Sequence, residues 1–339
     1  RCPRRMDGLT IMIDPTTRAL IPPTLNDVYQ ARERIAPYMS RSPLLRHPLL
    51  DQETGLTIWV KHENHNPTGA FKVRGGLNLV GALSPEERAL GIVTASTGNH
   101  GQSIALASRI HGVTSTVFVP VGNNPEKNAA IKAFGAVLDE GGKDFDEARE
   151  RCEARAVLTG ARYVHSADEP LLIAGVGTYA LEVFEDVPDA DVILVPIGGG
   201  SGACGLITVR NALGARARII GVGAENADAV YRSWKGPDRV VGASAKTFAE
   251  GVATRVSFDL PFSIYKPHLD DFVLLSEEEL AGGVRLALRA THNLAEGAGA
   301  ATLAAAWKLR HTLAGKRVVC IMSGGNLDDA KLRWVLGTA

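Results

Sequence analysis

Short β-branched runs alternate with stretches of helical length through residues 91–225, and this alternation constrains the fold more than any other feature of the chain. GIVTAS (91–96), VTSTVFVP (113–120), AVLDEG (136–141) and YVHSA (163–167) read as strands. The helical patterns between them stop at Gly112, Gly135 and Gly160, where a left-handed residue commonly ends a helix. In NPEKNAAIKAFG (124–135), Asn124 is the expected cap and Pro125 fills the first turn. The rhythm resumes with DVILVPIGGG (191–200), SGACGLITVRNALG, RIIGVGAE (218–225) and, near the end, RVVCIMSGG (317–325). Strands joined by helices of about 10–15 residues predict parallel sheets covered on both faces. A helix over 24–38 with Thr24 or Asn26 as cap, a strand over 57–63 and a helix over 72–83 precede this region. Helices over 277–294 and 298–313 follow it, after a less regular stretch at 235–275. No repeat of fixed period is present, so two packed α/β lobes are expected.

Composition removes several classes of function. The 37 basic and 37 acidic side chains cancel, leaving no global field for nucleic acid or an anionic membrane. No apolar run is long enough to span a bilayer. Cys2, Cys152, Cys204 and Cys320 have neither metal-like nor disulfide-like spacing, which favours a reducing, cytoplasmic compartment. The basic start RCPRRMDGLT lacks an apolar signal core and reads as a tag remnant or an alternative start ahead of Met6.

Chemistry is expected beyond the carboxyl ends of the strands. In PTGAFKVRGG (67–76), Lys72 sits among small residues just ahead of an apolar run. Such a frame lets a lysine lose its proton and act as nucleophile or base; the alternative is a solvated lysine at a helix start. STGNHG (96–101) joins a strand to a helix, where free N–H groups suit a carboxylate or phosphate, or where the helix is simply capped. PIGGGSG (196–202) offers a nest of N–H groups for a phosphate, or a tight turn. It is neither a Walker loop nor a clear dinucleotide fingerprint. Ser323 in MSGGN (322–326) is a hydrogen-bonding candidate at a ligand edge or a cap. Glu225 in GAENAD (223–228) is a candidate oxygen ligand for a hard cation, or a solvated acid.

Taken in chain order, four of these motifs, the Lys72 stretch, STGNHG, the glycine loop and MSGGN, resemble the fold-type II pyridoxal-phosphate enzymes, and within them the threonine/serine dehydratase and serine racemase branch. The likeness runs from about residue 24 to 336. It implies an α/β, two-lobed architecture like that of the tryptophan synthase β chain, each lobe a mostly parallel sheet covered by helices. Residues 1–85 and 169–339 would form the large cofactor-binding lobe and 86–168 a small mobile lobe. Lys72 would hold pyridoxal 5'-phosphate as a Schiff base and shuttle the α-proton. Phe71 would pack near the ring, Asn99 would bond the ring oxygen, and Gly198, Gly199, Gly200, Ser201 and Gly202 would bind the phosphate. Ser323 would face the pyridine nitrogen. Ser96, Thr97, Gly98 and His100 would surround the substrate carboxylate.

The implied reaction is α,β-elimination from L-threonine, L-serine or a related β-hydroxy amino acid, giving a 2-oxo acid and ammonia. Racemisation of serine or aspartate, dehydration of 3-hydroxyaspartate or a hydroxyectoine derivative, and β-replacement are alternatives on the same cofactor. Serine racemases carry a second serine where Thr97 stands, which demotes racemisation and leaves the stiffer threonine hydroxyl as the catalytic candidate on that ring face. Glu225 and Asp228 are spaced more closely than the racemases' metal cluster, so Mg²⁺ or another cation is only a secondary expectation. Arg74, Arg232 and Arg255 are candidate partners for a second substrate carboxylate. A homodimer is expected by the same resemblance. With the chain ending at Ala339, no C-terminal regulatory domain and no isoleucine feedback are expected.

Overall fold

The computed structural model describes residues 20–337. The basic start with Cys2 and Met6 lies outside them, as do the last two residues.

Among the described residues, ten strands build two sheets. The larger contains β1 (Leu44–Arg46), β2 (Thr57–His62), β7 (Val192–Pro196), β8 (Arg218–Ala224), β9 (Asp271–Leu275) and β10 (Arg317–Met322), in the order β1-β2-β10-β7-β8-β9. All its pairs are parallel except β1 with β2. The smaller contains β3 (Ile92–Ala95), β4 (Ser115–Val119), β5 (Val137–Glu140) and β6 (Arg162–Tyr163), in the order β5-β4-β3-β6, parallel throughout. Strands buried on both faces must be apolar at successive positions. In β10, Val318, Cys320 and Met322 enter one core while Val319 and Ile321 enter another. Val192 and Leu194 of β7 alternate with Ile193 and Val195 in the same way.

The expected parallel α/β organisation is therefore present, with local differences. Thr24, not Asn26, caps the first helix, Leu25–Ile35, through a reciprocal bond with Asp27. Asn124 caps Pro125–Ala133 as expected. The strand at 163–167 shrinks to Arg162–Tyr163. The irregular stretch at 235–275 hides a helix, Asp259–His268, and β9. The longest helix, Pro170–Asp186, gave no periodic signal because nearly all of it is buried, from Leu172 to Phe184. It packs against Lys72–Gly81, which is itself buried from Val73 to Val80.

A buried charge network ties these two helices to β2. Arg74 donates to Glu63 (2.7 and 2.9 Å) and to Glu182 (2.7 and 2.9 Å), and also bonds Thr178 and Ser42. Lys61 adds a bond to Glu182 at 2.5 Å. Two cations and two carboxylates thus neutralise one another out of water, which is how buried charges persist. Arg74 is consequently no partner for a substrate carboxylate, contrary to expectation. Arg232 pairs with Asp228, and Arg255 donates from Nε to the Gly242 carbonyl.

Histidines carry an acid-side liability. His62, fully buried at the end of β2, meets His47 Nε2 to Nε2 at 2.9 Å and stacks on His65. Burial, then the neighbouring His65 and His47, pushes His62 from 6.5 down to about 4. The unfolded chain takes up this proton near pH 6.5 and the folded protein only near 4. Stability from this residue is complete above pH 6.5 and lost as pH falls towards 4, by roughly 3 kcal/mol. Glu296, raised to about 7, acts in the opposite sense between its ordinary 4.5 and 7. Chemical denaturation of wild type and His62→Gln from pH 7.5 to 4 should give a shallower acid-side loss for the variant. Equal slopes would refute the assignment to His62.

Candidate active site

Lys72 opens the helix Lys72–Gly81 directly after Phe71, whose N–H donates to the Ser323 carbonyl at 3.0 Å. An isolated bridge between Ala70 and Gly324 reinforces this contact. The first and last of the four motifs therefore touch. The Lys72 ammonium donates to Ser201 Oγ at 3.0 Å and to the Ser166 carbonyl at 3.2 Å, joining it to the glycine loop. No carboxylate compensates its burial, so desolvation pushes it down to about 8. Half-buried and bonded to two neutral oxygens, the amine is not a freely solvated one. The Lys72 Nζ lies 5.4 Å from the Phe71 ring centroid.

The glycine loop follows β7 and runs into the helix Ser201–Ala212. Gly200 has φ +93°, a conformation a side chain rarely adopts, and Gly198 lies where a Cβ would stand 2.1 Å from the Gly251 carbonyl oxygen. The first N–H groups of a helix lack intrahelical acceptors, so loop and helix start together offer a cradle suited to an anion. Tyr179, fully buried, holds the cradle by donating to the Gly202 carbonyl at 2.7 Å. The Phe71 ring lines the same wall, 3.6 Å from where a Gly202 Cβ would sit. Gly198→Ala should weaken cofactor binding about 10- to 100-fold, the usual cost of forcing a methyl into packed backbone. Cofactor retention after dialysis measures this, and unchanged retention would contradict the cradle.

The loop 96–101 begins where β3 ends and leads into the helix Asn99–Ile110. Ser96 Oγ accepts from Gly101 N (2.9 Å) and Gly98 N (3.3 Å), so this hydroxyl shapes the loop. Thr97 is half-buried, and its carbonyl accepts from Asn123 Nδ2 at 3.5 Å. The buried His100 ring contacts Thr94 Oγ1 at 3.0 Å beneath the loop. Burial, with the Lys72 charge nearby, holds it neutral, at about 3. Ser323 is buried at the end of β10. Glu225 is exposed at the start of a 3₁₀ turn, and among the described residues no group of three His, Cys, Asp or Glu is placed to hold a metal ion.

Sequence reasoning missed Glu296. Asn99 Nδ2 donates to Glu296 Oε1 at 2.8 Å, while Asn99 Oδ1 accepts from Asn326 Nδ2 at 2.8 Å. One amide hydrogen of Asn99 remains for a ligand. Burial raises the Glu296 carboxyl to about 7, partly offset by Lys127. Its one sequence signal was an acid inside the small-residue run AEGAGA.

A half-buried amine of lowered basicity, an N–H cradle beside it, the Phe71 ring on the wall of that cradle and an available amide hydrogen on Asn99 fit an aromatic aldehyde bearing a phosphate. Comparison with known proteins agrees. Residues 35–324 match the family described as "Pyridoxal-phosphate dependent enzyme", and the chain belongs to that family. It is 37% identical over 307 residues to an L-threonine ammonia-lyase of Thermotoga maritima, covering 90% of this chain and 76% of that protein. The crystal structure of a T.th. threonine deaminase superposes with a TM-score of 0.85 at 35% identity, covering 90% of this chain and 99% of that one. Maize serine racemase superposes equally well, at 0.85, with 27% identity and coverage of 94% and 98%.

Proposed function

We propose that this enzyme is an ammonia-lyase that converts L-threonine or L-serine to a 2-oxo acid and ammonia. The observation that carries the reading is Lys72, a half-buried amine pushed down to about 8 and bonded to Ser201 of the anion cradle. In this reading Lys72 holds pyridoxal 5'-phosphate, the N–H groups of Gly198 to Gly202 hold its phosphate, and Phe71 packs on its ring. Asn99 bonds the ring oxygen and Ser323 faces the ring nitrogen. The bound cofactor supplies an electron sink at the substrate α-carbon.

The chain's own groups do the rest. Lys72 Nζ, once free, takes the α-proton; with a value of about 8 it exchanges protons near neutral pH. The loop Ser96–His100 holds the substrate carboxylate, and Thr97 offers a hydroxyl on the opposite face. Ser323 carries no charge to fix a proton on the ring nitrogen, which favours prompt loss of the β-hydroxyl as water. Hydrolysis of the released enamine then yields the 2-oxo acid and ammonia. Residues 86–168, which contain every strand of the smaller sheet, act as a mobile lobe over the remainder. Assembly as a homodimer is part of the same reading. So is a cytoplasmic setting, supported by the buried, free Cys152, Cys204 and Cys320.

A panel of β-hydroxy amino acids, assayed for 2-oxo acid and for enantiomer of recovered substrate with and without Mg²⁺, tests the proposal. Release of 2-oxo acid from L-threonine or L-serine is expected. Racemised substrate without 2-oxo acid would overturn it. Stimulation by Mg²⁺ that Glu225→Gln abolishes would assign the cation to Glu225.

A further inference from the structure

Lys127 is a cation that neither the motifs nor the reading above uses. It lies in the first turn of Pro125–Ala133, beside the smaller sheet, and is only 9% exposed. Its side chain lies along the loop 96–101: a Cβ on Gly98 would sit 3.6 Å from Lys127 Cδ and 3.8 Å from Nζ. The same segment holds that loop, since Asn123 Nδ2 reaches the Thr97 carbonyl and is itself braced by Asn128.

Lys127 pairs with Glu250, which lies in the segment between β8 and the helix Asp259–His268. Glu250 immediately precedes Gly251, whose carbonyl closes on Gly198 of the phosphate cradle. The other oxygen of Glu250 is held by Lys331, which also bonds Asp328 at 2.6 Å. Asp328 in turn accepts from Asn124 Nδ2 at 3.1 Å. Glu250 therefore keeps a cation if Lys127 leaves. Lys127, by contrast, sits too deep to lose that partner uncompensated, since its other acidic neighbours are Glu296, whose carboxyl is raised to about 7, and Asp328, held by Lys331. The start of the helix Asn99–Ile110, beside Gly98, is a place where a new anion would meet the Lys127 ammonium.

We propose that Lys127 binds the substrate α-carboxylate above the Ser96–His100 loop, exchanging Glu250 for it while Lys331 retains Glu250. The proposal rests on the lyase reading for the identity of the substrate. It adds a charge-assisted contact from the ammonium to the neutral N–H donors of the loop.

The test compares holoenzyme with Lys127→Met, Lys127→Arg and Glu250→Gln. In Lys127→Met, KM for L-threonine or L-serine rises about 10- to 100-fold, the usual worth of a charged hydrogen bond, with kcat within a few-fold. L-Alanine, which has no β-hydroxyl to lose, gives an independent binding readout through the cofactor's visible absorbance. Its affinity falls by the same factor in Lys127→Met and is largely kept in Lys127→Arg, while cofactor retention is unchanged in both. Glu250→Gln removes the competitor and lowers KM. Unaltered L-alanine binding in Lys127→Met overturns the proposal. So does a rise of KM in Glu250→Gln matching that of Lys127→Met, because the pair would then be a structural latch. If wild type binds L-alanine through Lys127 yet turns over no β-hydroxy amino acid, the lyase reading fails and the carboxylate contact stands.

Discussion

Lys72→Ala abolishes 2-oxo acid release, with a loss on the order of 10³-fold or more, because one side chain supplies both the amine that holds the cofactor and the base at the α-carbon. The amine is suited to both tasks because of its surroundings. Its contacts are neutral oxygens of Ser201 and Ser166, and desolvation alone pushes it to about 8. Lys72→Arg separates chemistry from charge. It keeps a cation of similar length that stays protonated throughout the working range, and so it is expected to be as inactive as the alanine variant. Circular dichroism and the thermal midpoint should change little in Lys72→Ala, while the visible band of lysine-bound cofactor disappears. Retained activity in either variant would remove Lys72 from the mechanism.

Arg74→Met is expected to be the most destabilising single change outside the site, at about 3–5 kcal/mol in urea denaturation. The substitution leaves Glu63, fully buried, and Glu182 to share Lys61 alone. A carboxylate without a partner in such a place costs far more than the mutual attraction of the pair suggests. Glu63→Gln added to Arg74→Met should recover part of the loss, since it removes the orphaned charge and keeps the shape. A cost below about 1 kcal/mol for Arg74→Met would mean that water reaches the cluster and screens it. Because Arg74 lies two residues beyond Lys72, the unfolding loss should be accompanied by weaker cofactor retention.

The two kinds of residue differed in how openly the sequence displayed them. Lys72, the glycine loop and Ser323 stand in small-residue motifs at strand ends, where local order alone marks a ligand site. Lys127, Glu250 and Glu296 stand in no motif. They acquire meaning because the fold brings Lys127 beside Gly98, Glu250 onto Lys127 and Glu296 onto Asn99. Secondary structure divided similarly. The capped helices at 25–35 and 125–133 were readable, whereas Pro170–Asp186 is buried on nearly every side and showed no stripe.

Local sequence was enough for the parallel α/β character, the order of the four motifs and the cofactor chemistry they imply, because strand periodicity, helix stops and glycine-rich strand ends are local properties. The folded chain was needed to place the Lys72 amine on Ser201, and to assign Arg74 to a buried ion network instead of a substrate. It was needed equally to join Glu296 to Asn99. Each of those is an encounter between segments distant in the chain, governed by burial and charge balance that no stretch of sequence carries alone.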